Sequence, residues 1–220
     1  MFSIVFRMGS EKKRKSFMDQ YKCPTGIQGR VVAVSMNQRH SELTSWGLKN
    51  VKINPNFVVL DVGCGGGKTV SKLAKLAFQG KVFGLDHSQD MVEFSKEVNK
   101  ELIAQGCVAI VEDSVEKMSF PDGSFDLVTA VETYYFWSNL SDAFREIKRV
   151  LKTKGNLLLL NEMIKDGVYE VENMEIITKT QVCLVPLQEI RKVLESIGFA
   201  NIEIFTKSGS PWNAVLAQKL

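Results

Sequence analysis

Behind the apolar run FVVL (Phe57–Leu60) the chain reads DVGCGGGKT (Asp61–Thr69), and a helical pattern follows. Loops of this kind serve three chemistries. One holds the pyrophosphate of a dinucleotide, one wraps the phosphates of ATP or GTP, and one receives the methionine end of a sulfonium cofactor. The phosphate-wrapping loop needs G-x-x-x-x-G-K-[ST]. Gly67, Lys68 and Thr69 supply its end, but the leading position is Val62. The dinucleotide loop is G-x-G-x-x-G/A. Gly63 and Gly65 fit it, yet its third small position is Lys68, too bulky for close helix–strand contact.

Acidic residues at neighbouring positions separate the remaining options. Asp61 precedes Gly63 by two residues, where a carboxylate repels pyrophosphate and suits a cationic ligand. Asp86 follows the run KVFGL, where a carboxylate can accept both hydrogen bonds of a ribose diol. Asp113 follows CVAIV and can accept from an adenine amino group. A sulfonium joined to an amino acid and an adenosine needs this set of partners. Each acid also has a plainer reading: Asp86 as a helix-capping acid, Asp113 as a turn former, and Asp61 as a residue holding the loop through backbone amides.

The elements that position these residues alternate along the chain. FVVL, KVFGL (Lys81–Leu85), CVAIV (Cys107–Val111), FDLVTAV (Phe125–Val131) and NLLLLNE (Asn156–Glu162) are predicted strands. Between them run predicted helices. One carries Val70, Leu73, Ala74 and Ala77. The next spans Ser88–Ala104, with Ser88 as N-cap and an apolar face of Met91, Phe94, Val98 and Leu102. A third runs from Leu140 to Leu151 and is stopped by Gly155. A last helix opens at Pro186 and ends at Gly198, and FANIEIF with WNAVLAQ forms an antiparallel hairpin. Strands apolar on both faces and alternating with helices imply a doubly wound, mostly parallel α/β sheet. Ligands of such sheets bind beyond the carboxyl ends of the strands, so the glycine loop, Asp86, Asp113 and Glu132 share one edge. Residues 1–50 form an N-terminal tail and helical cover over that edge, residues 51–220 the main domain, and residues 163–185 a possible cap insertion.

Composition narrows the class further. The 220 residues suit one generous α/β domain, with 45% apolar and 24% charged residues and a net charge of +3. The apolar runs fall short of a membrane span, and MFSIVF lacks the features of a secretory signal, so the chain is expected in the cytoplasm. Cys23, Cys64, Cys107 and Cys183 are scattered, without C-x-x-C pairs; reduced thiols and no metal site are expected. EKKRK (Glu11–Lys15) carries much of the positive charge as a solvated tail.

The blocks VVLDVGCGGGKT, VFGLDHSQDMV, VEDSVEKMSFPDGSFDLVTAVETYYFW and EIKRVLKTKGNLLLLNE lie within residues 58–162, roughly half the chain. In combination they resemble the class I S-adenosylmethionine-dependent methyltransferases. The resemblance implies a seven-stranded Rossmann-like sheet with an antiparallel C-terminal strand. It implies that Gly63, Gly65 and Gly67 face the methionine part, Asp86 the ribose, and Asp113 with Ser114 the adenine. It extends the expected contacts with S-adenosylmethionine to Asp61, Cys64, His87, Met91, Val115, Val131 and Glu132.

Methyl transfer is an in-line displacement whose electrophile arrives activated, so an aligned, dry acceptor pocket matters more than a catalytic triad. VETYYFW (Val131–Trp137) offers aromatic walls, although Phe136 and Trp137 could instead pack beneath the following helix. Glu132, Tyr134 and His40 are the candidates for a base, and Tyr21 for closing the pocket. Family members that methylate exocyclic amines of bases or glutamine carry Asn/Asp-Pro-Pro-Tyr/Phe after the fourth strand, where this chain has ETYY. That departure, and the scattered cysteines, favour a small-molecule acceptor over a nucleic-acid base or arsenic. A cofactor-binding protein without transfer activity and an RNA methyltransferase are the competing readings. The oligomeric state is open.

Overall fold

A computed structural model describes residues 24–163 and 182–220, with Gln20 and six isolated positions between 165 and 178. Seven strands form one sheet: β1 (Val58–Val62), β2 (Lys81–Asp86), β3 (Val108–Glu112), β4 (Phe125–Val131), β5 (Leu151–Asn161), β6 (Phe199–Thr206) and β7 (Asn213–Lys219). Their order is β3-β2-β1-β4-β5-β7-β6. The first five pair in parallel, whereas β7 runs antiparallel to both β5 and β6. This is the expected Rossmann-like sheet with its antiparallel terminal strand.

Leu157–Leu160 show how the sheet is filled. All four are fully buried, but alternate side chains leave opposite faces of a strand. Leu157 and Leu159 join Phe125, Phe144, Ile147, Ile190 and Leu194 on one side, beneath α5 (Leu140–Val150) and α6 (Leu187–Ile197). Leu158 and Leu160 join Leu43, Val59, Val70, Leu73 and Leu127 on the other. That side is covered by α1 (Gly26–Gly47), α2 (Lys68–Leu76) and α3 (Gln89–Val98). Truncating a fully buried residue such as Phe144 to alanine costs about 3–5 kcal/mol.

Three local expectations are corrected. The helix expected over Ser88–Ala104 is broken at Asn99 into α3 and a short α4 (Lys100–Ala104). Asn99 is buried and its amide donates to Gly67 O (3.1 Å) and Ser95 O (2.9 Å), while its carbonyl accepts from the Ser71 hydroxyl (2.7 Å). The break therefore serves the glycine loop. Its buried face is Met91, Val92 and Ser95, and Val98 points outward. Gly155 does not end the preceding helix: α5 stops at Val150, Leu151 is already extended, and Lys154 takes the left-handed conformation (φ 65°) inside β5. Ser88 occupies the N-cap position of α3, but its hydroxyl donates to Pro24 O (2.8 Å) instead of capping the helix.

That bond is one of several that seat α1 against the carboxyl edge of the sheet. Gly47 lies so close to Leu160 that a Cβ there would collide with its side chain, and Leu43 is fully buried. Asn37 Nδ2 donates to Gly66 O at 3.1 Å. Arg30 and Glu97 form an exposed pair at 2.7 Å, which screening by water makes a minor contribution. Tyr21, Glu11–Lys15 and most of residues 163–185 lie outside the described residues. Cys183 does reach the site side of the fold, its amide donating to Tyr135 O (3.1 Å).

Candidate active site

The carboxyl ends of β1, β2, β3 and β4 open into a cavity of about 380 Å³, roofed by α1. At its floor the chain leaves β1 through Gly63 (φ +68°), where a Cβ would strike the Thr133 methyl. Two amides, Gly63 N and Cys64 N, donate to Leu85 O at 2.8 and 2.9 Å and tie the loop to β2. Gly65 (φ +47°) differs: a Cβ there would meet only open space. Glycine is needed at both positions because L side chains rarely adopt positive φ, and at Gly65 the vacated volume belongs to the cavity.

Asp86 holds this loop. Its Oδ2 accepts from Gly65 N (2.9 Å) and its Oδ1 from Ser88 N (2.9 Å). The loop-holding role considered for Asp61 thus falls to Asp86, and Asp86 also caps the entry to α3. Each oxygen keeps a second lone pair for a ligand hydroxyl. Asp61 instead accepts from the Thr129 hydroxyl at 2.6 Å. Burial, opposed by that bond and reinforced by Asp86, pushes its carboxyl up to about 7. Asp113 forms the turn that its plainer reading describes, accepting from Ser114 N (2.8 Å) and Ser119 N (2.7 Å), and it also lines the cavity.

At the other end, Glu132 sits just beyond β4 with a left-handed backbone (φ 59°), an uncommon and costly conformation for a non-glycine residue. Its carboxylate accepts from the Tyr135 hydroxyl (2.5 Å) and from Glu162 N. Burial first, then the Glu162 carboxylate, push Glu132 up to about 7. His40, from α1, is pulled down to about 4 by burial and by Arg39, so its imidazole is neutral near pH 7. Arg39 Nε lies 3.2 Å from Glu162 Oε1. One ligating atom each of His40, Glu132 and Glu162 lies within 4.8 Å of the others.

Comparison with known proteins agrees with this geometry. Residues 60–159 match the methyltransferase domain family. An uncharacterized methyltransferase, YcgJ of Bacillus subtilis, is 32% identical over 114 residues, covering 52% of this chain and 44% of the relative. A sterol 4-C-methyltransferase of Caenorhabditis elegans is 26% identical over 152 residues, covering 69% of this chain and 43% of the relative. The chain thus matches under half the length of each. Among solved structures, a SAM-dependent methyltransferase from Aquifex aeolicus superposes with a TM-score of 0.68 at 21% identity, over 84% of this chain and 98% of that one.

Residues 60–159, a little under half of the chain, are thus similar to a methyltransferase domain, and the fold is the one shared with the solved SAM-dependent methyltransferase.

In this fold, the residues expected at the cofactor come together with one exception. Asp61, Gly63, Cys64, Gly65, Asp86, His87, Met91, Asp113, Ser114, Val115, Val131 and Glu132 all line the cavity, as does His40. Gly67 does not; it is the left-handed N-cap of α2 (φ 75°) and is clamped by Asn99. Tyr134 also drops out as a base candidate at the cavity. It packs in the core, its hydroxyl 3.4 Å from Val185 O and N, with burial pushing it up to about 12. Phe136 and Trp137, weighed as packing residues, do line the cavity. Sequence reasoning missed Asn37, Thr129 and Glu162. Asn37 lies on the predicted cover without a motif, Thr129 is interior to a strand, and Glu162 had only its position after a strand to mark it.

Proposed function

We propose that this chain binds S-adenosylmethionine in the 380 Å³ cavity and transfers its methyl group to a small-molecule acceptor by in-line displacement. The observation that carries the reading is the convergence of Asp61, Asp86 and Asp113, from the ends of three adjacent strands, on one cavity beside Gly65. The donor set fits the cofactor: a cradle at Gly65 that a Cβ would fill, and acids suited to a cation, a ribose and an exocyclic amine. Phosphates would meet only repulsion from these carboxylates.

When bound, the sulfonium supplies a methyl carbon already activated for displacement. The protein's own work is to position and to dry. Asp86 would accept from the ribose, and Asp61 would face the amino-acid end, its carboxylate form favoured by a nearby cation. Phe136, Trp137 and Met36 supply apolar wall on the cavity, where excluding water brings an acceptor into line within about 3–3.5 Å. Glu132 and His40 are the proton acceptors available there. Relatives named for sterol methylation support a small-molecule acceptor.

Calorimetric titration with S-adenosylmethionine and S-adenosylhomocysteine, followed by mass spectrometry of metabolite pools incubated with isotopically labelled cofactor, tests the reading. Micromolar-range binding and a labelled small product are expected. No binding overturns it. Binding without transfer to any acceptor favours the non-transferring cofactor-binding reading, and transfer only to RNA, with strongly salt-dependent affinity, favours the RNA methyltransferase reading.

A further inference from the structure

The cavity has two ends of different character. Beside the glycine loop it is built for an adenosyl group. Where β4 and β5 end beneath α1, it carries Glu132 and His40 with Glu162 behind them, and one ligating atom of each lies within 4.8 Å of the other two. We propose, resting on the methyl-transfer reading above, that the acceptor is an amine delivered as its ammonium ion and received by Glu132, Glu162 and His40.

Donor count is the first argument. A primary ammonium carries three N–H donors and no acceptor. The site presents two carboxylates, with two lone pairs on each oxygen, and an imidazole whose Nε2 also lies 3.4 Å from the Arg39 guanidinium; burial and Arg39 keep that imidazole neutral. An alcohol brings one donor and turns its own lone pairs on the carboxylates. A hydrocarbon acceptor brings no donor for the lone pairs that Glu132 and Glu162 keep beyond their bonds to Tyr135, Glu162 N and Arg39.

Charge count is the second. Glu132 and Glu162 face Arg39, whose guanidinium is 3.2 Å from Glu162. With His40 neutral and both carboxylates ionised, as a bound cation favours, this leaves one net negative charge, matched by a monovalent cation. A divalent metal ion would leave a buried positive excess next to Arg39. The aromatic wall adds to the case, because Phe136 and Trp137 rings attract cations.

Proton removal follows from the same residues. Glu132 is faced by Glu162 from the end of β5, by Arg39 and His40 from α1, and by Tyr134 and Tyr135 from its own turn. Their sum with burial makes Glu132 a base near neutrality. The ammonium N–H bond breaks and its proton passes to the Glu132 carboxylate. The freed nitrogen lone pair forms the N–CH₃ bond as the methyl–sulfur bond breaks, leaving a neutral thioether and a methylated ammonium. The proton on Glu132 returns to solvent.

The test uses the full chain saturated with S-adenosylhomocysteine, titrated with methylammonium and butylamine against methanol and 1-butanol, and read by NMR of the ligands. At pH 7 the amines are expected to bind at least about tenfold tighter than the alcohols, in line with charge-assisted hydrogen bonds. Glu162→Gln is expected to erase that preference while retaining S-adenosylhomocysteine affinity, and labelled methyl groups should appear on nitrogen in the wild type. Equal binding of amine and alcohol, or no amine binding up to about 0.1 M, a Kd too weak to serve as recognition, overturns the proposal. So does stoichiometric Mn²⁺ or Zn²⁺ binding that Glu162→Gln abolishes. Failure to bind S-adenosylhomocysteine at all would instead sink the methyl-transfer reading beneath it.

Discussion

The Tyr135 hydroxyl donates a 2.5 Å hydrogen bond to Glu132 Oε2, reaching back three residues across a short 3₁₀ turn. Both side chains are buried, so the bond stabilises the ionised form of a carboxylate that burial otherwise disfavours. Tyr135→Phe should raise the Glu132 pKa above its present value of about 7. If Glu132 removes a proton from the acceptor, the acidic limb of the pH–rate profile moves upward in the variant. A profile unchanged by Tyr135→Phe would exclude Glu132 as the group that limits the rate.

Asp86 fixes Gly65, and on the proposed reading its free lone pairs would also receive the ribose. Asp86→Ala is expected to weaken S-adenosylmethionine binding by about 1–3 kcal/mol, the range for hydrogen bonds to a charged group, or roughly 5–150-fold. Titration calorimetry measures it. Unaltered affinity would remove Asp86 from the ribose.

On the proposed reading, Asp61 would couple cofactor binding to protons. Its carboxyl stands near 7 in the free protein, and a bound cation lowers it. Binding at pH 7 should therefore release protons, seen as a dependence of the calorimetric enthalpy on the ionisation enthalpy of the buffer. Thr129→Val removes the bond that eases Asp61 downward. It should enlarge the proton release and weaken binding at pH 7. Proton-neutral binding would place the cationic group away from Asp61.

The Glu132 contribution to the stability of the free protein should fall as the solution becomes neutral. Glu132 has an ordinary value of 4.5 unfolded and about 7 folded. A raised folded value means the folded chain holds the extra proton, so its contribution is full below 4.5 and is lost as pH rises through 7. Thermal unfolding of wild type against Glu132→Gln across that window should diverge by on the order of 3 kcal/mol, at 1.36 kcal/mol per pKa unit. His40 runs the opposite way, losing its contribution as pH falls from 6.5 toward 4, and cancels in that comparison. Parallel curves for the two proteins would show Glu132 ionised throughout.

Gly63→Ala tests the loop itself. The added Cβ meets Thr133 at a φ of +68°, and a left-handed non-glycine residue costs about 1–3 kcal/mol. Reduced thermal stability together with weaker cofactor binding is expected. A variant of wild-type stability and affinity would mean that the loop's conformation is not what shapes the site.

Much was legible before any coordinates because it is local. DVGCGGGKT behind FVVL announces a strand, a turn needing positive φ and a helix start within a dozen residues. The alternation of apolar runs and amphipathic stretches is equally short in range, and strand-end acids follow from it by counting. Where local signals competed, they misled. Gly155 has the composition of a helix stop, but Leu151 already pairs with Phe125 of β4 and the ladder resumes at Asn156, so residues 152–155 form an irregularity within the strand. Asn99 sits within a helical pattern, yet its side chain is worth more bonded to Gly67 than left in a continuous helix.

The order of elements and the edge on which Asp61, Asp86 and Asp113 stand were written in the sequence, because periodicity and turn chemistry act over a few residues, and the single seven-stranded sheet followed from the family resemblance. Folding settled which groups share a cavity. It turned Tyr134 into the core and Trp137 toward the cavity, and it gathered His40, Glu132 and Glu162 from a helix and two strand ends far apart in the chain. Their proximity, and the burial that perturbs their charges, are properties of packed surfaces that no single segment carries.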